Sequence, residues 1–271
     1  MNIGFDLLFV LVFKWGIKGV AIATILSQGI AFISAIVYLN STHKIIRFSL
    51  KNLTFDIGLF KKSFRIGLPT GIQHTFVSLG MMAVMTIVNL FGTNVIAAYS
   101  VVLRINSIAS LPAMNFAAAL ATFVGQNLGA GKTRRAIKGL KETILMSSMV
   151  SVSVSILVIV FGKFLMALFT PDPEVIRIGY EYLMIVSSFY IVFSIMFSIN
   201  GALRGAGDTL IPMFITLLSL WFIRVPVAYL LSRSIDETGI WWAFPIGWLA
   251  GAVFSYLYYL TGRWKTKVVV K

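Results

Sequence analysis

The sequence has no cysteine and few charged residues. Charged side chains make up 12% of its 271 residues and hydrophobic side chains 58%, whereas a soluble globular domain has about 25% and about 45–50%. The absence of cysteine excludes disulfide scaffolds, thiol nucleophiles and thiolate metal sites. The low charge, with apolar residues in its place, excludes a disordered chain and nearly every soluble enzyme.

Long apolar runs with few charges occupy most of the chain. About 20 apolar residues cross the ~30 Å hydrocarbon core of a bilayer as a helix. The opening run, Met1 to Phe13, is too short to cross and lacks the basic start and cleavage site of a signal peptide. Seven longer runs lie at 19–39, 67–91, 95–125, 140–162, 178–200, 209–232 and 239–262. We therefore predict an all-α, polytopic membrane helix bundle with seven full spans and one truncated span.

Acidic residues are scarcer than basic ones, and the basic ones are unevenly placed. The chain has 9 Asp and Glu against 23 Lys and Arg, a net charge of +14. When the loops are assigned alternately to two sides, sixteen of the Lys and Arg lie on the side of the C-terminus and five on the other. Because cytoplasmic loops are enriched in Lys and Arg, we expect an inner- or plasma-membrane protein with a cytoplasmic C-terminus. The basic excess then reflects topology and attraction to anionic lipid, and no nucleic-acid partner.

A short internal echo indicates two bundles. The segments Gly16-Ile17-Lys18-Gly19-Val20-Ala21 and Gly239-Ile240-Trp241-Trp242-Ala243 both enter a span after a short external loop. Transporters are often built from repeated halves. The predicted organisation is 1–39 as the end of a first bundle, 40–65 as a basic cytoplasmic linker, 66–262 as a six-helix lobe and 263–271 as a cytoplasmic tail.

Polar residues within the opening apolar segment form the first candidate site. Asp6 is embedded in a wholly apolar stretch, and Asn2 lies four residues before it on the same helix face. Thr24 lies at a similar depth in the next span. A carboxylate, an amide oxygen and a hydroxyl suit a hard cation such as Na⁺, or a proton. The alternative interpretation is a structural polar cluster.

Gln73, His74 and Arg104 form a second set of candidates, for lining a substrate cleft. Arg104 lies about ten residues into its span, where it either faces a water-filled cavity or snorkels to an interface. Arg224 lies within another span and has the same two interpretations. His74, next to Gln73, is either a protonatable group or a hydrogen-bonded packing residue.

Motifs of enzymes are missing from the chain. Neither His43 nor His74 has a second ligand at metal spacing, and no Gly-x-Ser-x-Gly elbow occurs. The segment Gly129-Ala130-Gly131-Lys132-Thr133 has Gln126 where a phosphate-binding loop needs glycine. We expect neither an enzyme nor a cofactor.

Several motifs resemble those of the multidrug and toxic compound extrusion (MATE) transporters. They are Gly67-Leu68-Pro69-Thr70-Gly71-Ile72-Gln73, Gly125-Gln126-Asn127-Leu128-Gly129-Ala130-Gly131, Leu203-Arg204-Gly205-Ala206-Gly207-Asp208-Thr209 and Arg224-Val225-Pro226. In this order they cover about 66–262 and are similar to the C-terminal lobe of that family. The opening segment resembles the fifth helix, and Gly19 to Thr24 resembles the sixth.

The resemblance implies a twelve-helix, two-lobed antiporter that works by alternating access. Such a protein exports amphiphilic, often cationic, drug-like compounds from a cleft between the lobes in exchange for Na⁺ or H⁺. In the DinF-like branch the coupling site lies in the N-terminal lobe, and Asn2, Asp6 and Thr24 match its Asn, Asp and Thr in type and spacing. Another branch places carboxylates in the C-terminal lobe, and spans 67–91 and 178–200 have none at those depths.

Helices one to four of the family, which would supply a further essential Asp and an Asn, have no counterpart here. We expect the chain to be part of a transporter that needs those N-terminal helices for activity. Two other functions stay open. A related flippase for lipid-linked saccharides would have a cleft ringed by several cations, whereas Arg104 and Arg224 are the cations within spans. A non-transporting membrane scaffold would leave Asp6 without a role.

Overall fold

The computed structural model describes residues 1–42 and 54–266, which are helical and contain no β-strand. Their α-helices are α1 (Asn2–Leu7), α2 (Gly16–Thr42), α3 (Ile57–Val88), α4 (Thr93–Gly129), α5 (Thr133–Ala167), α6 (Pro173–Ser187), α7 (Tyr190–Gly205), α8 (Leu210–Leu217) and α9 (Val225–Leu260). Leu8–Val12 and Leu218–Arg224 are π-helical, and Asn89–Phe91 and Arg263–Thr266 are 3₁₀-helical. His43 and five cations counted for the orientation, Lys44, Arg47, Lys51, Lys267 and Lys271, lie outside the described residues.

The chain divides into two compact units, Met1–Ile57 and Gly58–Lys271. In the first unit, α1 packs against α2 through a tight turn. The backbone N–H of Trp15 donates to the carbonyl of Phe9 at 2.9 Å, and the two rings stack with centroids 5.2 Å apart. Gly19 permits this approach, because a Cβ there would lie 2.9 Å from the Cβ of Phe9. The predicted boundaries at 39, 65 and 262 stay predictions.

The long helices have the length and hydropathy of membrane spans. The helices α2, α4 and α5 contain 27, 37 and 35 residues, and α3 with its 3₁₀ turn contains 35. The segment Leu210–Leu260 contains 51 residues. As one straight helix it would be about 76 Å long, enough for two crossings of ~30 Å each. The predicted all-α polytopic bundle is confirmed, and six of the seven predicted runs lie in or almost entirely in these segments.

The run expected as a continuous span at 178–200 is instead a bent pair, α6 and α7, with axes 50° apart. The hydroxyl of Ser187 donates to the carbonyl of Leu183, and that of Ser188 to the carbonyl of Met184 at 2.7 Å. Serine hydroxyls that bond to carbonyls one turn earlier often bend helices. The hydroxyl of Ser155 on α5 satisfies the carbonyl of Ser187 at 2.6 Å, so the bend leaves that group paired.

Two interruptions divide the segment Leu210–Leu260. The π-helical turn Leu218–Arg224 precedes Pro226, whose ring has no N–H and crowds the carbonyl four residues earlier. Further along, Ile235 (φ −136°) and Asp236 (φ 52°) leave helical geometry, which agrees with the loop expected after 232. After this break, Gly239 packs against the backbone of Leu231, since a Cβ at Gly239 would lie 2.3 Å from the carbonyl carbon of Leu231.

Aromatic side chains form the centre of the second unit. Tyr99 of α4 stacks on Trp241 of α9 with centroids 5.8 Å apart, and Tyr182 of α6 meets Trp241 edge-on at 5.1 Å. All three are fully buried, so they tie three helices together. A second core cluster includes Trp264, which lies in the predicted tail and stacks on Tyr259 at 5.2 Å.

Helices α4 and α7 approach each other backbone to backbone. A Cβ at Gly201 would lie 2.5 Å from the carbonyl oxygen of Ala117, and a Cβ at Gly205 would lie 2.2 Å from that of Ala121. Small residues at such spacing allow the close packing that associates helices in lipid. The glycine pattern of the sequence therefore has a packing role at these positions.

We predict that Gly205→Ala destabilises the second unit, because its methyl group must push α4 and α7 apart. Overpacking of this kind costs about 1–3 kcal/mol, measured as a lower thermal unfolding temperature of the purified protein in detergent. Gly129→Ala is the matched control, since a Cβ at Gly129 meets nothing within 4 Å. Equal effects of the two substitutions would contradict the prediction.

Candidate functional site

The structure brings two of the three predicted coupling residues into contact within the first unit. The side-chain amide nitrogen of Asn2 lies 3.5 Å from the hydroxyl oxygen of Thr24, to which it donates. The Thr24 hydroxyl itself donates to the carbonyl of Val20 at 2.9 Å. Both side chains are exposed, so their remaining oxygen lone pairs are open to a ligand.

Asp6 lies one helical turn after Asn2 on the same face of the α1 segment. Its carboxylate oxygen Oδ1 is buried and accepts no hydrogen bond from the described residues. A buried carboxylate oxygen without a donor or a cation is costly in an apolar environment. This oxygen is thus free to accept a hydrogen bond or to contact a cation.

Ser27 was not predicted from the sequence and belongs to the same helix pair. Its hydroxyl is buried and has no hydrogen-bond partner among the described residues. It follows Thr24 by three residues on α2, so both hydroxyls lie on one side of that helix. This spacing is the signal that could have identified it. Asn2, Asp6, Thr24 and Ser27 together present amide, carboxylate and hydroxyl oxygens, the ligand types that hard cations take.

Sites for other metals are missing from the described ranges. No group of three His, Asp or Glu side chains comes together in residues 1–42 and 54–266. A site of one carboxylate with neutral oxygens suits a monovalent cation or a proton better than a divalent ion, because it balances a single positive charge. The roles of Asn2, Asp6 and Thr24 as a coupling site stay predictions.

Gln73 lies in a contact between three helices of the second unit. It is 6% exposed, and its side-chain oxygen accepts a hydrogen bond from Arg204 of α7 at 3.1 Å. Its side-chain nitrogen donates to the hydroxyl of Thr216 on α8 at 2.7 Å. That hydroxyl donates in turn to the carbonyl of Pro212 at 2.8 Å. The chain of bonds connects α3 to α7 and α8.

The sequence did not predict Arg204 and Thr216 as the partners of Gln73. They lie 131 and 143 residues away along the chain, so no local pattern could have identified the contact. The guanidinium donates to a neutral amide in place of a carboxylate. The whole interaction therefore depends on the side chain of Gln73.

His74 and Arg104, the other predicted cleft residues, are exposed on α3 and α4. Neither forms an ion pair with a described carboxylate, since the ion pairs of that part of the chain join Arg177 to Glu174 and Glu181. Both side chains are thus accessible to a ligand, and their role in a cleft stays a prediction.

Residues 69–230 match the MatE family. The chain is 35% identical over 260 residues to the probable multidrug resistance protein YpnP of Bacillus subtilis. The aligned region covers 95% of this chain and 58% of that protein. The chain is 30% identical over 270 residues to the probable multidrug resistance protein NorM of Thermotoga maritima, with 95% and 56% covered. The chain thus spans less than two thirds of the length of these relatives.

Solved structures share the fold. A mutant of the Vibrio cholerae MATE transporter VcmN superposes with a TM-score of 0.87 at 21% identity, covering 96% of this chain and 59% of that one. An outward-facing multidrug resistance MATE family transporter of the MOP superfamily gives 0.90 at 19% identity, with 96% and 59% covered. At these identities the likeness concerns the fold. With the apolar helices, these findings establish a multi-pass membrane protein.

We predict that Gln73→Leu destabilises the protein, because it removes the acceptor of the Arg204 guanidinium and the donor to the Thr216 hydroxyl. Loss of such a partner costs about 1–3 kcal/mol, and each kcal/mol lowers the unfolding temperature by about 2–4 °C in a chain of this size. The neighbouring His74→Leu is the control, since His74 is exposed. The prediction fails if both variants unfold at the wild-type temperature.

Proposed function

The chain belongs to the MatE family, and from this premise we propose that it serves secondary active efflux of amphiphilic, cationic, drug-like compounds by antiport with Na⁺ or H⁺. The names of its relatives, probable multidrug resistance proteins, support the substrate class. The relatives are longer than this chain, so the proposal concerns a complete transporter that uses further N-terminal helices and alternates between inward- and outward-open states.

The observation that carries the coupling role is the buried, unpaired carboxylate oxygen of Asp6. Asp6 lies one helical turn after Asn2, whose side chain contacts Thr24. A proton or a Na⁺ ion removes the net charge of the Asp6 carboxylate, and its loss restores that charge. Because a bare charge is costly in an apolar environment, each state of Asp6 favours a different surrounding of α1. A coupling ion thereby shifts the conformational equilibrium by its differential affinity for the two states.

We propose that the exposed side chains of His74 and Arg104 contact the substrate. The buried side chain of Gln73 has a different role, which is to hold α3 in place against α7 and α8. The related flippase has less support, because the named relatives are multidrug resistance proteins. A scaffold without transport would leave the unpaired Asp6 oxygen unexplained. The protein lies in a cell membrane in this proposal. Its C-terminus faces the cytoplasm, because most Lys and Arg residues lie on that side.

We predict that Asp6→Asn lowers ion-driven efflux by roughly tenfold or more, since the amide neither binds a proton at this position nor carries the charge that holds Na⁺. The measurement is uptake of a fluorescent cationic dye into proteoliposomes under an imposed Na⁺ or H⁺ gradient. The proteoliposomes contain this chain alone, or this chain joined to the N-terminal helices of the Bacillus subtilis relative.

Glu142→Gln is the matched control for that experiment, because Glu142 is an exposed carboxylate of α5 without an ion pair among the described residues. We expect it to transport at the wild-type rate. Unchanged ion-driven transport by Asp6→Asn would exclude Asp6 as the coupling residue. Comparing the two gradients identifies the ion.

A further prediction concerns orientation and uses the absence of cysteine. A single cysteine introduced by Lys265→Cys or by Lys163→Cys has no competing thiol in the chain, and both lysines are exposed. In intact cells, a membrane-impermeant maleimide should label the cysteine at 163 and spare that at 265 until the membrane is opened. The reverse labelling would overturn the proposed orientation.

A further inference from the structure

Helix α5 has one side that packs within the second unit and one side that the unit leaves uncovered. Its buried residues include Ala136, Leu140, Ser151 and Val158, which recur on one side of the helix. The opposite side carries exposed residues from the beginning of the helix to its end. In a membrane, this outward side of α5 is available to lipid.

A row of positive charges begins the outward side. Arg134, Lys138 and Lys141 are exposed and follow one another at intervals of four and three residues. Side chains at that spacing are neighbours on a helix surface, so the row is about 10 Å long. Lys132 and Arg135, which are also exposed, flank it. Five cations therefore lie within ten residues.

These cations have no carboxylate partner within the described ranges. The ion pairs of residues 1–42 and 54–266 join Arg177 to two glutamates. Glu142 is next to Lys141 in sequence, but it is exposed and forms none of those ion pairs. Because like charges three or four residues apart destabilise a helix, an anion that lies against the row would relieve their repulsion.

The outward side of α5 becomes apolar directly after the row. Four exposed apolar side chains continue it at the same spacing: Leu145, Met149, Val152 and Ile156. Lys163 ends the apolar part, and the helical rise of 1.5 Å per residue places it about 33 Å from Lys141. This distance matches the ~30 Å hydrocarbon core of a bilayer. Lys141 therefore lies at the level of the lipid headgroups.

The turn before α5 holds the row in a fixed position. The backbone N–H of Lys132 donates to the carbonyl of Asn127 at 2.7 Å, and that of Gly131 donates to the carbonyl of Leu128 at 2.9 Å. Gly131 has a φ of 71°, which glycine adopts at the end of a helix without strain. The backbone that carries the row is thus ordered before any ligand binds, which lowers the entropic cost of binding.

We propose that this end of α5 binds an anionic phospholipid of the cytoplasmic leaflet. The lipid phosphate lies against Lys138 and Lys141, with Arg134 adding a third charge, and an acyl chain lies along Leu145 and Met149. A phospholipid fits both parts of the outward side, whereas a soluble anion fits only the row. The leaflet follows from the proposed orientation. The site includes no residue of the proposed coupling or substrate contacts.

A second group of exposed cations, at the beginning of α3, provides a comparison. Lys61, Lys62 and Arg65 carry the same total charge as the row. Consecutive residues of a helix are turned by about 100°, so Lys62 lies on a different side from Lys61 and Arg65. We therefore expect an anionic phospholipid to bind more weakly there than on α5.

Native mass spectrometry of the purified full chain in a non-ionic detergent tests the proposal. The titrants are dioleoyl-phosphatidylglycerol and dioleoyl-phosphatidylcholine, which have the same acyl chains but differ in net charge. We expect the first phosphatidylglycerol to bind roughly tenfold more tightly than phosphatidylcholine, or better. Equal binding of the two lipids would overturn the proposal.

Combined substitution of the row by Arg134→Gln, Lys138→Gln and Lys141→Gln should remove this preference, since each cation near a membrane surface contributes about fivefold. The matched control is the combined substitution Lys61→Gln, Lys62→Gln and Arg65→Gln, which removes the same charge and should retain the preference. Equal losses in the two variants would contradict a site on α5. Glycerol 3-phosphate, an anionic headgroup without acyl chains, should not displace the lipid. Displacement by it would assign the row to a soluble phosphate instead.

Thermal unfolding without added lipid shows whether the combined variants fold. If the variant of the row does not fold, the single substitution Lys141→Gln replaces it, with Lys61→Gln as its control. We expect a loss of about fivefold in phosphatidylglycerol affinity for Lys141→Gln and none for Lys61→Gln. An unchanged affinity of Lys141→Gln would contradict the proposal. The measurement uses neither an ion gradient nor a drug, so its failure is distinct from a failure of efflux.

Discussion

The structure depends on one constraint, that polar groups in hydrocarbon must find their partners within the protein. The backbone satisfies it by forming helices, and the hydroxyl side chains satisfy it locally. Ser78, Thr75 and Thr86 of α3 each donate to the carbonyl four residues earlier, at 3.0–3.2 Å. A longer side chain such as that of glutamine reaches beyond its own helix. Gln73 therefore bonds to two other helices, and the contacts of such residues determine how the helices pack.

Exceptions to that constraint identify the sites of interest. Among the described residues, the exceptions in the first unit are a carboxylate oxygen of Asp6 and the hydroxyl of Ser27. Those in the second unit are Nε of Arg224, the hydroxyl of Tyr182 and the indole N–H of Trp241. Asp6 suits a coupling cation or a proton, because an unpaired carboxylate oxygen is costly to bury. This is why we propose a role in ion coupling for it.

The sequence predicted the membrane spans well, because the signal is the local absence of charge over about 20 residues. Every predicted run is largely helical, although 178–200 crosses the bend between α6 and α7. The family resemblance of the motifs agrees with the match over residues 69–230. The bend at Ser187 and Ser188 was missed, since two serines in an apolar run do not by themselves show where their hydroxyls bond. The π-helical turn before Pro226 was missed for a related reason, because proline indicates a kink without specifying its geometry.

The candidate sites were less predictable than the fold. The spacing of Asn2 and Asp6 places them on one helix face, and the contact of Asn2 with Thr24 joins residues 22 positions apart on two consecutive helices. The partners of Gln73 lie too far along the chain for any pattern to find them. Arg224 was recognised as an embedded cation, but its aromatic surroundings come from residues on a later part of α9 that read as ordinary apolar sequence. Side-chain environments formed by helices that are distant in sequence could therefore be identified only from the structure.

The contact of Gly201 and Gly205 with Ala117 and Ala121 has a mechanical consequence. A joint made of two backbones has no side-chain torsions that can absorb a displacement, so α4 and α7 can shift only as a rigid pair. Any deformation within this unit must concentrate where the helical hydrogen bonds are already interrupted. Those places include the bend between α6 and α7, the π-helical turn that carries Arg224 and the break at Ile235 and Asp236. The close contact of α4 with α7 thereby determines which parts of the second unit can deform.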